Sequence, residues 1–200
     1  MGRQKREPLK VGVSGVRGVV GRSFTPSTAL GFAQAFGIHA RQGTVLVGRD
    51  TRPSGPMIEM AVVAGLQSVG CRPLLAGVVP TPTLLYLVRQ HGAAGAIAIT
   101  ASHNAAPWNA LKFVNHQGLF LNARHAEELF DIYHQQDFPL VPEAQLATAS
   151  PLENPMLGHI RTILSYVNLE AIRQRNFSVA VDCCNGVGAI HTIPFLEQLG

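Results

Sequence analysis

Residues 95–113 read GAIAITASHNAAPWNALKF. The run from Gly95 to Thr100 offers water almost nothing. It then stops in a hydroxyl, an imidazole and an amide at Ser102, His103 and Asn104, with Lys112 a few residues further on. Apolar runs without alternation belong to strands covered on both faces, as in parallel sheets. In such sheets the loops after the strands are the usual place for a site. The stretch therefore predicts a buried strand that brings Thr100, Ser102, His103 and Asn104 to one rim of a sheet.

The flanking sequence repeats the theme. LKVGVS (9–14) predicts a strand followed by a glycine-rich loop, and Thr25 to Ser27 cap a helix running to about Arg41. TVLVGRD (44–50) predicts a second strand, and RPSGPMIEMAVVAGLQSVG a loop feeding a helix that stops at Gly70. CRPLLAG is a third strand, TPTLLYLVRQHG a helix, and AAGAIAIT the fourth strand. LKFVNHQGLFL predicts a hairpin turning at Gln117 and Gly118, followed by a helix capped by Asn122. Alternating strands and helices imply right-handed crossovers. The expected fold is α/β, a doubly wound, mostly parallel sheet with helices on both faces.

Beyond it, residues 141–155 read as a linker rich in Pro, Ala, Ser and Thr. Residues 156–200 then predict one long helix, PMLGHIRTILSYVNLEAIRQR, a strand FSVAVD, a loop CCNGVG and a last helix. One strand cannot make a sheet. The division expected is a first domain over 1–140 and the truncated start of a second, similar domain over 156–200.

Composition narrows the function classes. The 200 residues are 46% hydrophobic and 14% charged, an ordinary balance for a soluble α/β chain. Sixteen basic against twelve acidic residues give a net charge of +4, which favours an anionic partner. Part of the excess lies in GRQKR (2–6), read as a frayed tail. No basic stripe with interleaved aromatics argues for nucleic acid. LLAGVVPTPTLLYLV is broken by prolines before it could span a bilayer. Cys71, Cys183 and Cys184 form neither an even disulfide framework nor a CxxC metal motif, which fits a reducing, cytoplasmic setting.

Several motifs carry chemistry. GVSGVRGVVG (12–21) surrounds Arg17 with glycines, so that backbone can approach a ligand while the guanidinium forks onto phosphate; a plain glycine-rich turn reads equally well. No GK[ST] follows, so it is no P-loop. VGRDTRPSG sets Arg49, Asp50 and Arg52 just past a strand, where Asp50 either orients one of the arginines or forms an Asx-turn. NGVGAIH has His191 where a dinucleotide fingerprint needs its third glycine, and reads as a tight strand-to-helix turn. Around Ser102 no hydrolase triad is legible. A serine at a strand end near Arg17, Arg49 and Lys112 suits a phosphoryl group better than an acyl group, because cations stabilise charge on the equatorial oxygens.

Taken in order, GVSGVRG, VGRDTRPSG, VVPTPT, TASHN…WNALKF and VAVDCCNGVG resemble the N-terminal part of the α-D-phosphohexomutase family. The resemblance implies that Ser102 is a phosphoserine. It would give its phosphoryl group to a hexose or hexosamine phosphate and recover one from the 1,6-bisphosphate after the sugar reorients. It further implies Lys112 and His103 in proton transfer and charge stabilisation, Arg17 as a site cation, and Ser14, Thr100, Asn104 and Arg49 in substrate binding. A Mg²⁺ ion is expected on the phosphate of Ser102, with an aspartate cluster that Asp50, Asp131, Asp137 and Asp182, scattered as they are, do not form. The chain departs from the family pattern in SHNAAPW, which lacks a proline directly after the asparagine, in Val13 for a usual threonine, and in Ala110 for a glycine. The alternative reading is a catalytically silent sugar-phosphate-binding or interaction module.

Overall fold

A computed structural model describes residues 8–200; the tail expected at GRQKR lies outside the described residues. A seven-stranded sheet accounts for the chain up to residue 151. Its strands are β1 (Lys10–Gly12), β2 (Gly15–Val19), β3 (Thr44–Arg49), β4 (Arg72–Val78), β5 (Gly95–Ile99), β6 (Trp108–Asn115) and β7 (Ser150–Pro151), in the order β1-β2-β6-β5-β3-β4-β7. The helices are α1 (Pro26–His39), α2 (Gly55–Ser68), α3 (Thr81–Gln90), α4 (Ala123–Gln135), α5 (Leu157–Ser165), α6 (Leu169–Arg175) and α7 (Gly188–Leu199).

The parallel arrangement expected from the sequence holds for β5, β3, β4 and β7. The other wing, β1, β2 and β6, is antiparallel, and β6 joins it to β5 antiparallel as well. The stretch read as a glycine-rich loop is thus partly strand: β2 makes a hairpin with β1 and a ladder with β6, and these two partners satisfy backbone that intrinsic propensity would leave in a turn.

Helices cover both faces. On one face α1, α2 and α4 bury Phe32, Phe36, Ile58, Val62 and Leu129 against Val16, Val45, Val47, Ile97, Ile99, Leu111 and Phe113 of the strands. On the other, α3 buries Leu84, Leu87 and Val88 against Leu46, Ala96 and Ala98. The caps are those the sequence signals: Thr25 Oγ1 accepts from the Thr28 amide and Asn122 Oδ1 from the His125 amide. Successive strand residues point to opposite faces. Arg17, Ala110 and Lys112 therefore share the α3 face with Ala98, but α3 packs on β3 and β5 and leaves the antiparallel wing uncovered there.

Three local expectations are corrected. The linker is tacked to the sheet, with β7 pairing to β4 and the Val141 amide donating to the Ser68 carbonyl. The single long helix over 155–175 is two, because Asn168 accepts from the Ala171 amide and starts α6 afresh. FSVAVD forms no strand; it has the composition of one but no partner, and Phe177, Val179 and Val181 are exposed. NGVGAIH consequently follows no strand, and His191 instead donates from Nε2 to the Val78 carbonyl at 2.7 Å. Among the described residues no helix is long and apolar enough to cross a membrane.

Candidate active site

The uncovered face of the antiparallel wing, together with the end of β5, encloses a cleft of about 230 Å³. Ser14, Arg17, Thr100, Ser102, His103 and Lys112 line it, so six of the eight residues singled out in the sequence meet in one place. Lys10 lines it too.

Lys10 follows from strand register. It stands directly opposite Arg17 in the β1–β2 hairpin, and Lys112 is two residues along β6 from Ala110, the neighbour of Arg17. Like charges directly opposite on a sheet destabilise it. Three cations gathered on one face, with no carboxylate in the lining, make the cleft favourable to an anion. The ammonium of Lys10 lies 5.0 Å over the Trp108 ring and that of Lys112 5.7 Å over Phe120, each a cation–π contact at the rim.

Ser102 is exposed and sits at φ +56°, a conformation unfavourable for any residue with a Cβ. Thr100 Oγ1 accepts from its amide at 3.0 Å, which turns the chain as β5 ends. Its Oγ lies 3.4 Å from Nδ1 of the exposed His103. A hydroxyl held so is open to a solute and flanked by an imidazole and three cations, which suits transfer of a phosphoryl group.

Two expected residues are placed elsewhere. Arg49 ends β3 on the same side as Val45 and Val47, so alternation sends it toward α2, where its Nε pairs with Glu59 at 3.0 Å. Asn104 spends its side-chain amide on the Ala101 carbonyl at 2.7 Å and stiffens the loop rather than lining the cleft. Asp50 fulfils both readings made of it, since Oδ1 accepts from the Arg52 amide as in an Asx-turn and Oδ2 from Arg52 Nε. Arg52 was not among the expected site residues. Its signal was the Asp50-x-Arg52 spacing, but its target could not be known before the loop was placed.

The donor set does not fit a divalent cation. Hydroxyls, an imidazole and three cations line the cleft, and among the described residues no three His, Cys, Asp or Glu side chains gather to hold a metal.

Residues 8–140 match the family described as phosphoglucomutase/phosphomannomutase, alpha/beta/alpha domain I. Over 191 residues the chain is 36% identical to a phosphoglucosamine/phosphogalactosamine mutase of Sulfurisphaera tokodaii, a match covering 94% of this chain and 42% of that protein. It is 34% identical over 195 residues to a phosphoglucomutase/phosphomannomutase of Thermococcus kodakarensis, with the same shares covered. The crystal structure of a provisionally named phosphomannomutase from Thermus thermophilus superposes with a TM-score of 0.82 at 29% identity, over 98% of this chain and 44% of that one. The chain thus spans about two fifths of the length of these relatives.

Proposed function

The chain belongs to the phosphoglucomutase/phosphomannomutase family, and from that premise we propose that it supplies the nucleophile of a phosphohexomutase, with Ser102 as phosphate carrier. The observation that carries the reading is the exposed Ser102 hydroxyl at a strand end facing Lys10, Arg17 and Lys112 across a cleft without carboxylates. Residues 8–140, the span that matches the family, would then be the nucleophile domain.

Phosphorylated Ser102 gives its phosphoryl group to one hydroxyl of a hexose or hexosamine monophosphate. The Ser102 O–P bond breaks, a sugar O–P bond forms, and the hydroxyl proton passes by way of the His103 imidazole to the departing Ser102 Oγ. The sugar 1,6-bisphosphate reorients, Ser102 Oγ takes the phosphoryl group from the other end, and the isomeric monophosphate leaves. Such a transfer asks the protein for an in-line oxygen and fixed positive charge. Arg17, Lys10 and Lys112 stabilise the equatorial oxygens, and Ser14 and Thr100 add hydroxyls at the cleft wall. The relatives' names cover glucosamine, galactosamine, glucose and mannose phosphates; of these we favour glucosamine or mannose phosphate. The lining of this cleft offers no carboxylate to the Mg²⁺ that the resemblance implies.

Phosphopeptide mass spectrometry after incubation of the intact gene product with a hexose 1,6-bisphosphate tests the proposal. Phosphate is expected on Ser102, and mutase activity is expected to vanish in Ser102→Ala. An unmodified Ser102 together with an active alanine variant would overturn it.

A further inference from the structure

Arg52 does not line the cleft, yet it fastens the segment that presents Ser102. A guanidinium carries five N–H donors in a planar fork, and here all five are engaged. Nε donates to Asp50 Oδ2 at 3.1 Å. Nη1 donates to the carbonyl oxygens of Ala105 at 2.9 Å and Trp108 at 3.0 Å, and Nη2 to those of Ser102 at 2.9 Å and Asn104 at 2.7 Å. The side chains of Arg52 and Asp50 are only 12% and 15% exposed.

Apart from the Val20 amide, which donates to the Pro107 carbonyl at 2.9 Å, the remaining bonds of the segment so held are short-range. Residues 100–107 belong to no helix or strand, Ala105 to Pro107 are exposed, and Ser102 keeps a left-handed backbone. Backbone in that region persists only where its surroundings over-determine it. The bonds of Thr100 and Asn104 close short local turns. Arg52 instead spans Ser102 to Trp108 through one rigid group, and Asp50 ties that group to the end of β3. Bonds from a charged donor are roughly twice as strong as neutral ones.

Resting on the reading of Ser102 as phosphate carrier, we infer that Arg52 is a positioning residue: it aims Ser102 Oγ in line with the incoming phosphoryl group without touching the substrate. Lysine keeps the charge but not the fork, so this is a position where the two are not interchangeable. A shift of about 1 Å in a reacting atom costs on the order of 10²-fold in rate.

The test compares Arg52→Lys, Asp50→Asn and Ser102→Ala in the intact gene product. Readouts are the rate of phosphate transfer from glucose 1,6-bisphosphate to Ser102, followed by mass spectrometry, kcat and KM for a hexose 1-phosphate, and Tm. Arg52→Lys is expected to lower labelling rate and kcat by on the order of 10²-fold while KM stays within about twofold, the pattern of lost transition-state alignment. Asp50→Asn, which leaves the four carbonyl bonds in place, is expected to show the same pattern more weakly. Wild-type labelling in Arg52→Lys, with Ser102→Ala inactive, overturns the inference and leaves the nucleophile reading intact. A loss that only follows the folded fraction, with normal kcat for the folded molecules, makes Arg52 a purely structural residue and also overturns it. Full activity in Ser102→Ala instead removes the reading on which the inference rests.

Discussion

Replacing Gly15 by alanine probes the closeness of β2 to β6, on which the cleft depends. Gly15 has φ +111°, and a Cβ there would run into the carbonyl oxygen of Leu111. Backbone in this region costs a residue with a side chain about 1–3 kcal/mol. Overpacking against a paired strand adds about 1–3 kcal/mol. The sum, about 2–6 kcal/mol, is a large share of the roughly 5–15 kcal/mol that holds a typical domain together. Two nearby glycines separate the contributions. Gly21 has φ +75° with nothing within 4 Å of its added Cβ, so alanine there meets the conformational cost alone. Gly12 meets no atom within 4 Å and has no such φ, so alanine there should stay within about 0.5 kcal/mol of wild type. Urea unfolding followed by the fluorescence of Trp108, the single tryptophan, reads all three, provided the m-value is unchanged. The expected order of loss is Gly12→Ala, then Gly21→Ala, then Gly15→Ala. Equal losses at Gly21 and Gly15 would show that β2 moves off β6 freely, and the argument from close approach would be wrong.

Other consequences are as direct. Inorganic phosphate should raise the Tm of the wild type by binding the folded state, and raise it less in Arg17→Gln; equal shifts would place the anion elsewhere. His39 has its pKa lowered, first by burial and then by the neighbouring His125, against an upward pull from Glu128. A folded-state pKa below the unfolded 6.5 carries no penalty above that pH. As the pH falls below it, the unfolded chain takes up the proton first and stability drops until the folded pKa is passed. Tm should therefore fall as the pH is lowered through 6.5, and less steeply in His39→Gln; the half-buried His159, lowered by desolvation, leaves part of the slope in place. An unchanged slope in that variant would clear His39 of any part in it. Burial pushes the Cys71 thiol up to about 11, whereas Cys184 is exposed. A thiol reagent should label Cys184 in the native protein and Cys71 only on unfolding, and native labelling of Cys71 would contradict its place in the core.

The parallel part of the sheet was legible because burial, strand length and capping residues agree locally, as at Thr25 and Asn122. The antiparallel wing was legible only in part: LKVGVS and LKFVNHQGLFL were read as strands where β1 and β6 lie, but β2 was read as a loop. Gly12, Gly15 and Gly18 lower strand propensity, and only pairing with both neighbours makes β2 a strand. FSVAVD shows the converse, strand composition that stays unpaired for want of a partner. At the site, Ser102, His103 and Lys112 follow from the motif alone. Lys10 depends on its register with Arg17, which no spacing along the chain displays. Arg49 was misplaced for a simpler reason: the alternation that puts Thr100 on the cleft face sends Arg49 to the face of α2.

The two-residue pairing of β7 has an effect on solution behaviour. Beyond β4 the outward-facing backbone groups of a seven-residue strand would otherwise be open to any passing chain. Ser150 and Pro151 occupy part of that margin, and proline brings no amide hydrogen to the outer side. A stub so short, half of it unable to donate, is a poor template for a further strand, so this margin resists the stacking of one molecule on the next that leads to fibrils.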